Sequence, residues 1–191
     1  MVGGVVYIFS TIGEPDVIEH TGGPARIVYA ELDGNRSDRL KRFHEHFARA
    51  TGMEGVVSES IRTELWEKSV FISAISGVTA AIRLPDGATR DEKSFWDPFV
   101  DSLEEARDAA IAEGVQVTDD IVEERTAFAR DLDPGMYSSL HYDMTNGKRM
   151  ELEAIDGTVV RKADEHGVDA PRSRTVYSIL RPWAVRNDET N

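Results

Sequence analysis

The chain has 191 residues, 40% of them hydrophobic and 30% charged, which suits one folded core and is too apolar for a disordered segment. Its formal net charge of -13 argues against nucleic acid or an anionic membrane as a partner, since both are polyanions. There is no cysteine, so disulfides, thiolate metal sites and a cysteine nucleophile are excluded.

No apolar run approaches the ~20 residues needed to span a bilayer, and no basic segment followed by an apolar core opens the chain. A cytoplasmic protein is the expectation. The first residues are β-branched and punctuated by glycine and proline. "GGVVYIF" (3–9), "DVIEHTG" (16–22) and "ARIVYAEL" (25–32) read as strands, with turns at Gly13-Glu14-Pro15 and Gly22-Gly23-Pro24. Three short strands make a poor core alone, so they read as the edge of a larger sheet.

From Ser37 onward the period becomes helical. Ser37 can cap a helix that carries Leu40, Phe43, Phe47 and Ala50 on one face and stops at Gly52. Ser58 or Ser60 can cap a long helix to about Ile82, closed by Pro85-Asp86-Gly87. Asp97-Pro98 opens a helix to Gly114, and Thr118 or Asp119 opens another to about Asp131. Further helices are expected at 137–145, 151–166 and 171–180, with a frayed acidic tail after Trp183.

The long helix carries a contradiction. Ile61, Leu65, Ile72, Ile75 and Thr79 project from one side at roughly 100° per residue, and Lys68 projects from the middle of it. Ser69, Ser73 and Ser76 form a second stripe narrow enough for another helix to approach, which makes this a central, mostly buried helix. Burying an ammonium group is costly without a partner or a task. Periodicity leaves two readings open: an ordinary i,i+4 pair with Glu64, or a buried proton donor with a shifted pKa.

The segment Met136 to Gly157 gathers Ser138, Ser139, His141, Asp143, Glu151 and Glu153. A hydrolase triad is disfavoured, because no Gly-x-Ser-x-Gly elbow occurs. Asn146-Gly147 also reads as a helix terminator and Glu151 as a first-turn acid. No metal site is expected: His44 and His46 lie roughly 200° apart around a helix, and His20 and His166 lack partners nearby in sequence. No glycine-rich phosphate loop is present.

"ELWEKSVFISAISGVTA" (64–80), followed by "SSLHYDMTNGKRMELEAIDG" (138–157) and the helical segments after it, resembles the C-terminal domain of ketopantoate reductases (2-dehydropantoate 2-reductases). That family joins a Rossmann domain to an all-helical domain related to the 6-phosphogluconate dehydrogenase C-domain. The resemblance implies a mainly α fold, with residues 1–35 as the terminal strands of a dinucleotide-binding domain and 36–191 as the helical catalytic and substrate-binding domain. It implies NADPH-dependent reduction of a 2-keto acid to a 2-hydroxy acid. Lys68 falls on the general acid, Glu151 on the acid that orients lysine and substrate, and Ser139 on a serine that contacts the substrate carboxylate. Substrate-binding asparagines four and eight residues after the lysine are here Ile72 and Ser76, and a glutamine is replaced by Tyr142, next to His141. These changes point away from ketopantoate itself.

The resemblance places the NADP-binding residues before Met1, so no cofactor-binding residue is assigned in this chain and the isolated chain is expected to be inactive. The partner is a small-molecule 2-keto acid, and a homodimer is compatible with the sequence. A second reading is a non-catalytic helical module of the same descent, kept for dimerisation or ligand binding.

Overall fold

The computed structural model describes residues 1–90 and 92–190 of the chain. They form two compact units, Met1–Leu65 and Trp66–Asn191, with the boundary inside a continuous helix. The first unit includes a helix and a third strand after residue 35.

In the first unit β1 (Val2–Ile12) and β2 (Ile18–Glu31) form an antiparallel hairpin, and β3 (Glu54–Val57) pairs with β2 in parallel, in the order β1-β2-β3. The expected turn at Gly22-Gly23-Pro24 is instead an irregularity inside β2, where the register slips against Phe9. Gly23 makes this possible: its φ is +81°, and a Cβ there would lie 3.1 Å from the Phe9 nitrogen. β3 escaped the sequence reading because four residues including a glycine show no alternation.

Helix α1 (Asp38–Phe47) starts as expected, with the Ser37 hydroxyl accepting the Leu40 N–H at 3.3 Å. Phe43 and Phe47 pack their rings 4.8 and 5.5 Å from that of buried Tyr29, whose hydroxyl meets His44 Nδ1 at 3.0 Å. At the end of β2, Glu31 takes hydrogen bonds from Arg39 and Ser37, which hold its pKa at about 2.

The second unit takes the rest of α2 (Ile61–Ile82), then α3 (Gly87–Arg90), α4 (Lys93–Ala112), α5 (Ile121–Asp131), α6 (Ser139–Thr145), α7 (Asp156–His166) and α8 (Pro171–Thr190). The expected mainly α architecture is thus present. α4 begins earlier than Asp97, because Glu92 caps it through the Ser94 N–H at 3.1 Å, leaving Pro98 inside the helix. α8 continues past Leu180 through the acidic tail to Thr190. Leu180 and Ala184 are buried, and buried Asn187 donates to the carbonyls of Lys148 at 2.8 Å and Asp143 at 3.3 Å, so the tail has a core of its own to hold it.

The main core joins Val70, Phe71, Ala74, Ile75 and Val78 of α2 to Phe99, Leu103 and Ala106 of α4, with Ile121 of α5 and Val159 and Ala163 of α7. A second cluster unites Ala80 with Leu140, Met144, Met150, Leu152, Leu180 and Ala184. By length and composition α2 is, against the reading of run lengths, long and apolar enough to cross a membrane. Its Glu67 and Lys68 break the apolar run in sequence without breaking its average. More than half of that stretch is buried against other helices.

The small-residue stripe works as expected, and Gly77 extends it. A Cβ on Gly77 would come within 2.7 Å of Val176 Cγ1 and nearer still to Asp156 Oδ1. Asp156 is 3% exposed, and its Oδ2 has no hydrogen-bond partner among the described residues. It lines a cavity of about 10 Å³ with Ser73, Ser102 and Ser173. Burial pushes its pKa up to about 7, against a small opposing effect of its own backbone N–H.

The native state therefore holds this proton where the unfolded chain has lost it. The Asp156 contribution to stability is full below pH 3.8 and declines as pH rises to about 7. Over that window the loss amounts to about 4 kcal/mol, at ~1.4 kcal/mol per pKa unit. Urea unfolding of the chain and of Asp156→Asn at about pH 5 and about pH 8 tests this. The variant should gain stability relative to the parent at the higher pH; an equal difference at both pH values would contradict it.

Candidate active site on the long helix

Lys68, Ile72, Ser76 and Thr79 follow at intervals of four, four and three residues, which sets them in one row along α2. From Lys68 to Thr79 the row covers about 16 Å of helix axis, at 1.5 Å per residue. At its far end the Thr79 and Ser138 hydroxyls lie 3.1 Å apart. Ser138 is the N-cap of α6, accepting the His141 N–H at 3.2 Å, and Ser139 is the first residue of that helix, exposed to solvent. Between the ends, Ile72 is partly buried against the core and Ser76 is 2% exposed.

Lys68 is half-buried. Burial lowers its pKa from the ordinary 10.5, and the Glu151 carboxylate acts in the other direction. Glu151 is not in the first turn of a helix as expected, because α7 begins at Asp156. It stands before a turn, its carbonyl accepting the Ala154 and Ile155 N–H groups at 3.0 and 3.1 Å. Met150 and Leu152 on either side of it are buried, so the exposed carboxylate hangs from a backbone fixed at both neighbours.

Glu151 also acts on Asp143. Burial raises the Asp143 pKa, Lys148 lowers it, and Glu151 raises it. Lys148 rests 4.8 Å over the Tyr142 ring. In the sequence Asp143 stands out without an evident neighbour, and Lys148 does not stand out at all. Asn187 of α8 ties down the carbonyls of 143, 144 and 148, which holds Asp143 and Lys148 in one segment. His141 stacks on Tyr137 at 4.5 Å, and burial lowers its pKa below 6.5.

Glu153 belongs elsewhere: it accepts from the Tyr177 hydroxyl at 2.7 Å and pairs with Arg161 and Arg181, linking α7 to α8. His166, without sequence neighbours to bind, meets Glu113 from α4's end at 2.7 Å, with Glu165 adjacent. Lys162 Nζ lies 3.1 Å from Glu113 and 2.7 Å from Glu165, so an ammonium already supplies the positive charge there.

The strand-to-helix passages, β2 to α1 and β3 to α2, run through 32–37 and 58–60, and neither has the Gly-x-Gly-x-x-Gly spacing that lets a backbone approach a pyrophosphate. The described residues do not fit a dinucleotide grip.

A helical unit built round one long lysine-bearing helix, after a small mixed sheet, is consistent with a helical C-terminal domain that follows the strands of a Rossmann domain. Residues 60–184 match the family described as ketopantoate reductase PanE/ApbA C terminal, and the chain belongs to that family. It is 32% identical over 135 residues to a 2-dehydropantoate 2-reductase of Caulobacter vibrioides, covering 71% of this chain and 46% of that protein. It is 28% identical over 183 residues to the uncharacterized oxidoreductase YkpB of Bacillus subtilis, covering 96% and 60%. A crystal structure of a PanE/ApbA family ketopantoate reductase from Ralstonia eutropha superposes with a TM-score of 0.86 at 26% identity, covering 98% of this chain and 60% of that one. The chain spans about half the length of the curated relatives it matches.

The electrostatics of Lys68 can be read without turnover. Its side-chain NMR titration should give a pKa below 10.5, because desolvation outweighs Glu151. Glu151→Gln removes the influence that raises the pKa, so the midpoint should fall further. A midpoint unmoved by the substitution would detach Glu151 from the lysine.

Proposed function

We propose that the chain is the substrate-binding and proton-donating part of an NADPH-dependent reductase that converts a 2-keto acid to a 2-hydroxy acid. The observation that carries this reading is Lys68: a lysine on the central helix, half-buried, pKa lowered by that burial, with the Glu151 carboxylate acting on it. A lysine so placed can hand its proton to a carbonyl oxygen as negative charge develops there, and its cationic form stabilises that charge beforehand. Glu151 keeps the lysine protonated and orients it. Ser139 at the exposed start of α6 donates its hydroxyl to the substrate carboxylate.

Ile72 presents an apolar branched chain and no amide, and Ser76 is covered. In this reading they shape the pocket, and 2-keto acids with apolar side chains are better substrates than ketopantoate. In this reading NADPH would supply the hydride from a separate nucleotide-binding domain, and the chain without that domain would be inactive. We place the protein in the cytoplasm as a homodimer, the state stated for a ketopantoate reductase of Staphylococcus aureus that shares the fold. Ile72 is also the observation that favours the second reading, a helical module that has lost catalysis and binds a ligand or a second copy.

Calorimetry with NADPH, and turnover with a panel of 2-keto acids, separate the two readings. Both are run on the chain alone and on the chain joined to a nucleotide-binding domain of the kind its longer relatives carry. The joined form should bind NADPH and turn over, and Lys68→Ala should lower kcat at least ~100-fold with an unchanged melting temperature. Absence of NADPH binding in both forms would favour the non-catalytic module, and unaltered turnover in Lys68→Ala would remove the lysine from the mechanism.

A further inference from the structure

A concave recess lies at the C-terminal end of α2, away from Lys68. Its cavity of about 260 Å³ is bordered by Arg83, Trp183 and Arg186, with Thr145 and Gly147 on one rim and buried Asn187 beneath. The Arg83 guanidinium rests 4.5 Å from the Trp183 ring centroid and that of Arg186 5.5 Å from the same centroid. The two guanidinium groups thus lie within about 10 Å of each other, in a chain whose net charge is -13.

The backbone at Arg83 is unusual for an arginine. Its φ is +59°, and its N–H donates to the Thr79 carbonyl at 3.0 Å, so it closes α2 in the left-handed conformation. That conformation is unfavourable for a residue with a Cβ. Gly114, Gly147 and Gly167, after α4, α6 and α7, meet the same requirement with glycine. At the end of α2 an arginine carries the strain, and its head group reaches the indole beside the cavity.

The opposite rim is fixed. Asn187 Nδ2 donates to the Lys148 carbonyl at 2.8 Å and to that of Asp143 at 3.3 Å, clamping the 143–148 loop onto α8. The site is thus a firm recess whose walls bring two cations to one place.

We propose that this recess binds a small multiply charged oxyanion, a compound bearing phosphate or several carboxylate groups, between Arg83 and Arg186. At ~30 Å³ per water molecule the cavity has the volume of about eight waters, enough for such an anion with its hydration reduced. Guanidinium groups suit these ligands because their planar N–H pairs match two oxygens of a phosphate or carboxylate. The bound anion bridges the two arginines and closes the gap between the end of α2, the segment after α6 and α8.

The test is calorimetric titration of the chain with inorganic pyrophosphate and, separately, with citrate, at low ionic strength. Saturable binding of either supports the site, and which of them binds more tightly distinguishes a phosphate from a carboxylate ligand. Arg83→Gly retains the left-handed backbone and should stay folded while weakening binding at least about tenfold; Arg186→Gln should do the same. Added salt should weaken the parent's binding. No saturable binding of either anion overturns the proposal. So does Arg83→Gly that binds like the parent: if it also melts at lower temperature, the Arg83–Trp183 stack is a structural clamp.

Discussion

The helical unit depends on burying the middle of α2 on almost every side while leaving the Lys68 ammonium in contact with water. Between Val70 and Ala80 nearly every residue of this helix is buried. Large side chains on it meet α4, α5 and α7, and small ones let α7 and α8 close in at Gly77. Interior packing at this density tolerates little change of volume. A cation on such a helix has to stay near the edge of the packed zone, and Lys68 does, two residues before the first fully buried position at Val70.

The carboxylate that acts on Lys68 is held by packing. Glu151 lies in no helix, yet its place is set because Met150 and Leu152 are inserted into the second core cluster beside Leu140 and Leu180. The same cluster holds α6, whose N-cap serine meets Thr79 at the far end of the row. One apolar cluster therefore fixes both the acid that faces the lysine and the serine-bearing helix start. A cavity made there, for instance by shortening Leu152, would disturb both polar ends of the row together.

Much of this was legible in sequence because it is local and periodic. The long helix, its out-of-place lysine, the Ser37 cap and the small-residue stripe all follow from spacing. What escaped depends on contacts far apart in the chain. β3 is a strand because β2 offers it hydrogen bonds, and the acidic tail is helical because Asn187 reaches loop carbonyls about 40 residues earlier. His166 seemed isolated because Glu113 lies 53 residues away. Gly22-Gly23-Pro24 carries turn residues, but a bulge uses the same freedom of glycine without reversing the chain. For the site, the residue types at 68, 139 and 151 carried the resemblance, while the links through Asp143 and Lys148 needed the folded loop.

Two ionisable groups meet α2 on opposite faces, and their difference accounts for the placement of charge. Gly77, where Asp156 closes in, follows Lys68 by nine residues, which is about half a revolution around the helix at ~100° per residue. Burial acts on both groups in the direction of the uncharged form, raising the carboxyl and lowering the ammonium. Burial dominates at Asp156, and its carboxyl rises to about 7. Lys68 is only half-buried and has Glu151 working against its desolvation. Asp156, half-protonated near neutral pH and on the far face, is a poor counter-ion for the lysine. The exposed carboxylate of Glu151 thus favours the charged form of Lys68, on the face of the helix away from Asp156.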